Sequence, residues 1–173
     1  MALADYVAEI CRWWLLLALL VAAAGKSIRF RRFRQDLAVS FPELGAAGVP
    51  VALAVVAVEW LLAALLLAGG SAGHYGQIGA AVLFAVFTSV VAVAMGQDRT
   101  VVCSCFGGAS HPMSGYDLLR NGLLVGVAAF GALSPPSGTV DLISSVILAG
   151  LALILFQLSN GLRDIVALLR IPA

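Results

Sequence analysis

The apolar segments of this chain constrain its fold more than any other feature. Five of them, at about 13–30, 50–68, 77–95, 118–133 and 141–158, reach or approach the roughly 20 residues that an α-helix needs to cross a bilayer. Of the 173 residues, 62% are hydrophobic and 11% are charged, and the mean hydropathy is +1.05. These values exclude an ordinary soluble domain. We therefore expect one all-α integral membrane domain over 1–173, a compact bundle of four to five transmembrane helices.

Clusters of glycine and proline separate some of the apolar segments. A glycine cluster at 69–73 follows the second segment, and a Pro-Pro-Ser-Gly turn at 135–138 follows the fourth. Within the fourth segment, Gly122 and Gly126 have the spacing that permits close helix approach, so we expect them at a helix–helix contact. A cleaved signal peptide is the alternative for the first segment, because three alanines follow its apolar core. Asp5 and Glu9, which precede that core, disfavour this alternative.

The distribution of basic residues predicts the orientation of the bundle. Lys26 and four arginines lie between the first and second segments, whereas the loop after the second segment has no lysine or arginine. The positive-inside tendency therefore places the amino terminus outside and the carboxyl terminus inside a bacterial inner (cytoplasmic) membrane. Apolar residues at helical spacing over 160–171 predict an interfacial amphipathic helix on the inner surface.

The same pattern bears on partners. No basic run interleaved with aromatic residues is present, so we expect no nucleic acid partner. The lipid bilayer is the surrounding medium for most of the chain. The sequence leaves open whether the protein is a homo-oligomer or a hetero-oligomer.

Cys103 and Cys105 stand one residue apart between the third and fourth segments. A disulfide across one intervening residue needs a tight turn and closes a strained ring, and strained disulfides are the labile, exchanging ones. We therefore expect the pair to be redox-active, with either cysteine able to attack first. Attack requires the thiolate, and Arg99, His111, Arg120 and the start of the fourth helix are candidates for stabilising it.

Other interpretations of the cysteines remain open. They can be free structural thiols, because buried cysteine packs as a small hydrophobe. Together with His111 and Met113, Cys103 and Cys105 also form a soft ligand set suited to Cu(I), or to Zn²⁺ with one more ligand. Cys11 lies in the first helix, about 20 Å or more from the pair, and is expected to be a free thiol.

Two ionisable residues lie at a similar predicted depth in the bilayer. Glu59 is about 13 Å from the inner end of the second helix, and Lys26 is about 20 Å from the outer end of the first, in a core about 30 Å thick. We expect an ion pair between the two helices, because an isolated charge at this depth is costly. The pair can simply fix the helix register, or Glu59 can handle a proton when thiols or a quinone are oxidised nearby.

The order of these residues resembles that of a known family. Lys26, Glu59, the motif Cys103-Ser104-Cys105-Phe106-Gly107 and the sequence Leu119-Arg120-Asn121 follow one another as in the MauE branch of the MauE/DoxX membrane proteins. The resemblance covers roughly 13–155. It implies a DoxX-like helical bundle with a redox-associated role, in which Lys26, Glu59, Arg120 and Asn121 support the cysteines. MauE itself is linked to maturation of the disulfide-rich small subunit of methylamine dehydrogenase, alongside a thioredoxin-like protein.

The residues and the resemblance together give a functional expectation. We expect a membrane thiol–disulfide oxidoreductase or electron conduit that supports disulfide formation or maturation of a partner protein. A thioredoxin-like protein is the expected partner, and a quinone is a candidate cofactor. The alternative is a non-enzymatic membrane assembly subunit, or a protein that uses the same cysteines to handle Cu(I).

Overall fold

A computed structural model describes residues 3–97, 115–134 and 141–169, and nearly all of these residues are helical. The α-helices are α1 (Leu3–Ile28), α2 (Phe30–Ser40), α3 (Gly48–Ala68), α4 (Gly70–Gly96), α5 (Gly115–Leu133) and α6 (Leu142–Leu169). A kinked 3-10 segment, Pro42–Ala47, joins α2 to α3. No strand occurs within the described ranges.

Within the described ranges, three helical stretches are long and apolar enough to cross a membrane. They are Asp5–Ile28, Pro42–Ala68 and Gly70–Gly96, and a shorter apolar helix covers Ile143–Ser159. Large apolar side chains such as Leu67, Val82 and Ile154 are exposed on the outside of the bundle, where lipid would cover them. The predicted all-helical membrane bundle is therefore confirmed, and the chain is a multi-pass membrane protein.

Helix α1 is the centre of the bundle, because it packs against every other α-helix. Leu15 and Leu19 on α1 are fully buried against Leu66 of α3 and Leu124 of α5. Phe156 of α6 belongs to the same apolar cluster. This cluster fixes the positions of α3, α5 and α6 around α1.

The first apolar helix starts earlier than predicted, at Leu3 rather than near residue 13. Its first turns carry Glu9 and Arg12, which the sequence suggested would lie before the membrane helix. These side chains bond to each other inside the bundle, so their charges do not end the helix. Beyond α1, the basic cluster is not a loop but the amphipathic helix α2, with Phe33 buried and Arg31 exposed.

Two other helix boundaries differ from the prediction. Helix α4 begins at Gly70 rather than near residue 77, because Gly69 and Gly70 make the turn alone, with φ values of 68° and 55°. Gly73, predicted to be part of the break, lies inside α4. Helix α6 runs without interruption to Leu169. Residues 160–169, predicted as part of a separate interfacial helix, therefore continue α6. Ser159 stays in the helix, its hydroxyl donating to the Phe156 carbonyl at 2.7 Å.

The glycines that allow close packing are not the predicted ones. A Cβ placed on Gly122 or Gly126 would meet nothing within 4 Å, so that prediction is wrong. The close approach occurs between α3 and α4, where a Cβ on Gly76 would lie 3.0 Å from the Leu66 nitrogen. The spacing between glycines in the sequence does not reveal which face of a helix meets a neighbour.

Candidate functional site

A buried ion pair joins α1 and α3 near the middle of α3. The Lys26 ammonium donates a hydrogen bond to Oε1 of Glu59, and the two residues are only 4% and 6% exposed. The ammonium also lies 5.6 Å from the centre of the Phe33 ring of α2, a favourable cation–π distance. The contact predicted from the depth of the two residues is present.

Two buried polar atoms, one in this pair and one on α5, have no hydrogen-bond partner within the described part of the chain. One is Oε2 of Glu59, and the other is Nδ2 of Asn121 on α5. Asn121 is 2% exposed, so its amide has little access to bulk solvent. Buried polar groups are nearly always paired, and an unpaired one costs about 1–3 kcal/mol. Within the described residues, each of these two atoms therefore lacks a partner that would offset its burial.

Both residues line a cavity of about 380 Å³. Its other lining residues are Ala22 and Lys26 of α1; Phe33, Asp36, Leu37 and Ser40 of α2; Phe41, which follows α2; Glu43 and Leu44 of the 3-10 segment; Val51 and Val55 of α3; and Leu83, Phe84, Val86, Phe87, Val90 and Val91 of α4. Small-molecule sites in proteins commonly have about 300–1,000 Å³, mostly apolar walls and a few polar groups. This cavity has that composition.

The α3–α4 hairpin is closely packed next to its connecting turn, and side chains of both helices line the cavity farther along it. Next to the turn, Gly76 lies against Leu66 and Gly79 lies against Leu62, so the helices are in close contact there. Farther from the turn, the residues of the two helices that line the cavity are Val51, Val55 and Glu59 of α3 and Leu83, Phe84, Val86, Phe87, Val90 and Val91 of α4. The glycine contacts are therefore at the turn end of the hairpin, and the cavity lies beyond them.

Helix α2 closes one side of the cavity. Phe33, Leu37 and Ser40 face the space, while Arg31 and Arg34 on the same helix are exposed. This spacing of apolar residues gives α2 one face for the bundle and one basic face for the surface. The sequence prediction treated this segment only as a cluster of positive charge. The i, i+4 spacing of Phe33 and Leu37 was a signal that could have identified the helix.

Cys103, Cys105, His111 and Met113 lie outside the described residues. The chain leaves α4 at Gly96 and enters α5 at Gly115. At these ends, Met95 of α4 and Leu118 of α5 pack against the same small cluster, together with Phe41 from the cavity wall. The two points at which the cysteine segment joins the bundle therefore lie at the cavity end of α4 and α5.

Arg120 and Asn121 are neighbours in sequence with different surroundings. The Asn121 side chain lines the cavity, whereas Arg120 does not. The Arg120 guanidinium lies 3.8 Å from the carboxylate of Asp117, one turn earlier on α5. Of the two, Asn121 is the residue that the structure brings together with Lys26 and Glu59.

A second polar cluster, missed by the sequence prediction, lies toward the other end of α1. The Glu9 carboxylate accepts hydrogen bonds from Arg12, from the Trp13 indole at 2.9 Å, and from the Ser145 hydroxyl of α6 at 3.0 Å. Arg12 also donates to the Leu66 carbonyl of α3. Because these donors satisfy both carboxylate oxygens, this cluster has the character of a structural clamp between helices. Glu9 and Arg12, three residues apart in an apolar helix, were the available signal.

Cys11 is buried and forms no disulfide within the described residues. The prediction that it does not pair with Cys103 or Cys105 concerns a segment that lies outside them. No group of three or more His, Cys, Asp or Glu side chains that could hold a metal occurs among the described residues. The predicted Cu(I) ligands all belong to the segment 98–114, which lies outside the described residues.

Comparison with known proteins gives one match. The family model described as "Methylamine utilisation protein MauE" matches residues 4–134, a range that includes α1 to α5 and the cysteine segment. No curated protein and no solved structure matches the chain significantly. Since the matched range covers more than half of the 173 residues, the chain belongs to the MauE family of membrane proteins, which is linked to methylamine utilisation.

Proposed function

We propose that this protein is a membrane thiol–disulfide oxidoreductase in which Cys103 and Cys105 alternate between disulfide and dithiol. In the first step, a thiolate of a reduced partner attacks the Cys103–Cys105 disulfide and forms a mixed disulfide. The second partner thiol then resolves it. The partner gains a disulfide, and the membrane pair takes up the two electrons and becomes a dithiol.

The observation that carries this proposal is the position of the two ends of the cysteine segment. The helices α4 and α5, which hold those ends, also form walls of the cavity that contains Glu59 and Asn121. A Cys-x-Cys pair favours exchange, because its disulfide is strained and therefore easily reduced.

The proposed setting is a bacterial inner membrane with the amino terminus outside. A thioredoxin-like protein is the proposed partner, because its own Cys-x-x-Cys pair undergoes the same exchange chemistry. Maturation of a disulfide-rich protein is the proposed outcome, in keeping with the family's link to methylamine utilisation.

The proposal is tested by trapping the mixed disulfide. Cys103→Ser and Cys105→Ser are made separately in a Cys11→Ser background, so that each protein has a single thiol. In the reverse of this exchange, the remaining thiol attacks the disulfide of the oxidised partner and forms the same mixed disulfide. One of the two variants should accumulate this adduct, because the second membrane cysteine that would resolve it is missing, and dithiothreitol should release it. The double Cys103→Ser, Cys105→Ser variant is the matched control and should give no adduct.

The opposite result would identify a different function. If neither single variant forms an adduct while the double variant still binds its partner protein, the bundle acts as an assembly subunit. If the purified protein instead holds about one Cu(I), and the double variant loses it, the cysteines are metal ligands. Either result contradicts thiol exchange.

A further inference from the structure

Helix α2 and the residues next to it have an excess of positive charge. Residues 29–43 contain four arginines and two carboxylates, so two arginines remain in excess even when each carboxylate pairs with one of them. Arg31 and Arg34 are both exposed. Because they are three residues apart on one helix, their side chains are neighbours on its surface. Two neighbouring guanidinium groups attract an anion, and they suit the oxygens of a phosphate.

The position of α2 in the chain places these arginines at the boundary of the membrane. Helix α2 follows α1 after one residue and precedes the next spanning stretch, so it lies where two spanning helices end. Ile28, just before α2, and Val39 within it are 82% and 71% exposed. Exposed aliphatic residues beside arginines are typical of a helix in the membrane interface, where lipid covers the apolar residues and phosphates meet the basic ones. The anion next to these arginines is therefore the head group of a lipid.

The cavity beside α2 suits hydrocarbon better than a polar molecule. Several polar residues border it, but the surface that they and their neighbours present to the space is almost wholly apolar. Its volume of about 380 Å³ is more than twice that of a cavity of about 150 Å³ that holds benzene, so it has room for roughly 15 carbon atoms. Val86 and Val90 line the cavity and are exposed on a spanning helix, so a chain can enter from the bilayer. One acyl chain of a membrane lipid meets these requirements.

A row of side chains on α2 connects the arginines to the cavity. Arg31, Arg34 and Leu37 follow one another at a spacing of three residues, so each is next to the following one on the helix surface. Leu37 lines the cavity. The hydrocarbon part of an arginine can lie along apolar surface while its charged end stays at the polar boundary. A lipid whose phosphate meets the two arginines therefore has its acyl chains next to the cavity.

We propose that this surface and the cavity together bind one anionic phospholipid, with its phosphate at Arg31 and Arg34 and one acyl chain in the cavity. A zwitterionic phospholipid has the same chains, but its head group has no net charge to attract the arginines. An acidic protein would complement the arginines and leave the apolar cavity unfilled. Lipid binding at this site does not depend on the thiol chemistry proposed for Cys103 and Cys105.

Native mass spectrometry of the full-length protein in a non-ionic detergent tests the head-group contact. The protein is titrated with dioleoylphosphatidylglycerol or dioleoylphosphatidylcholine, and the anionic lipid should bind more tightly. Arg31→Gln, Arg34→Gln should weaken binding of the anionic lipid about thirty-fold, the equivalent of about 1 kcal/mol for each arginine, and leave the zwitterionic lipid unaffected. Arg31→Lys, Arg34→Lys is the matched control, because it keeps both charges, and it should retain most of the preference. Higher ionic strength should weaken binding of the anionic lipid to the wild type, a result that needs no variant.

A separate variant tests the acyl-chain contact. Val55 lines the cavity from α3, and Val55→Phe places a larger apolar side chain there without changing any charge. It should weaken binding of both lipids by a similar factor, because their acyl chains are identical. Inorganic phosphate should displace neither lipid, because it has no chain to fill the cavity.

Three results would overturn the proposal. One is equal affinity for the two lipids, or a preference that survives Arg31→Gln, Arg34→Gln. Another is lipid binding that Val55→Phe leaves unchanged. The third is an arginine variant that binds both lipids normally but no longer forms the mixed disulfide with its partner protein, because the basic face of α2 would then dock that protein. The double Cys103→Ser, Cys105→Ser variant should bind the anionic lipid as tightly as the wild type, so a failure of thiol exchange is distinguishable from a failure of this site.

Discussion

Removing the charges of Lys26 and Glu59 one at a time should destabilise the bundle strongly. Lys26→Met takes away the ammonium and keeps an unbranched apolar chain, and Glu59→Leu takes away the carboxylate. Each single change leaves the other charge buried, because the two residues are only 4% and 6% exposed. Breaking a buried ion pair by removing one partner costs about 3–5 kcal/mol of the free energy of unfolding.

The double variant should recover most of this loss. Replacing both members of a buried pair by apolar residues is often neutral or even stabilising. We therefore expect Lys26→Met, Glu59→Leu to lie within about 1–2 kcal/mol of the wild type. The coupling free energy of the cycle should be at least about 3 kcal/mol, well above the value for independent sites.

The cycle is measured by reversible unfolding in mixed micelles with a rising fraction of denaturing detergent, followed by helical circular dichroism. Asp117→Asn is the control, because Asp117 and Arg120 are 3.8 Å apart and partly exposed. It should change the free energy of unfolding by less than about 1 kcal/mol. Single variants of Lys26 and Glu59 that cost less than about 1 kcal/mol and add in the double variant would refute a buried, mutually dependent pair.

Three further predictions follow from particular contacts. Gly76→Ala should destabilise the protein by about 1–3 kcal/mol in the same detergent titration, because the new Cβ would press on the Leu66 backbone. Gly122→Ala, the control, should be neutral or slightly stabilising, because a Cβ there meets open space. Equal losses of stability at both positions would contradict the α3–α4 contact. Glu9→Gln should lower the free energy of unfolding by about 2–3 kcal/mol, since its carboxylate accepts charged and neutral hydrogen bonds that tie α1 to α6; an unchanged transition would show that the clamp is dispensable. Asp141 accepts a hydrogen bond from the Ser144 N–H at the start of α6, and this bond lowers the pKa of the Asp141 carboxyl group. The stabilising effect of the ionised carboxylate is therefore present above the ordinary pKa of aspartate and is lost as the pH falls through the lowered pKa. Hydrogen exchange at neutral pH should therefore show reduced protection of the first turn of α6 in Asp141→Ala, and unchanged protection would argue against this cap.

The features that sequence predicted well depend on one-dimensional distances. Helical rise along two apolar segments was enough to place Lys26 and Glu59 at the same depth, and the structure joins them. The helical bundle followed from hydropathy in the same way. Both inferences use only length and polarity, which can be read from a chain without knowing its neighbours.

The features that sequence missed depend on which faces of the helices meet. Gly122 and Gly76 both lie in apolar segments, yet only Gly76 faces another helix closely. Asn121 was predicted as a supporting residue, but nothing in its sequence context showed that its amide would be buried without a partner. The cavity itself is lined by residues of α1, α2, α3, α4 and α5, so no single helix specifies it.

The most direct measurement of the central claim is a redox titration of Cys103 and Cys105 in a Cys11→Ser background. Intact cells and inverted vesicles are equilibrated across a series of thiol buffers and labelled with a membrane-impermeant maleimide, which also reports the side from which the pair is reached. Thiol exchange predicts that both thiols titrate together as a two-electron couple, with about 30 mV for each ten-fold change in the ratio of oxidised to reduced protein. Two thiols that remain reduced in every buffer would contradict it.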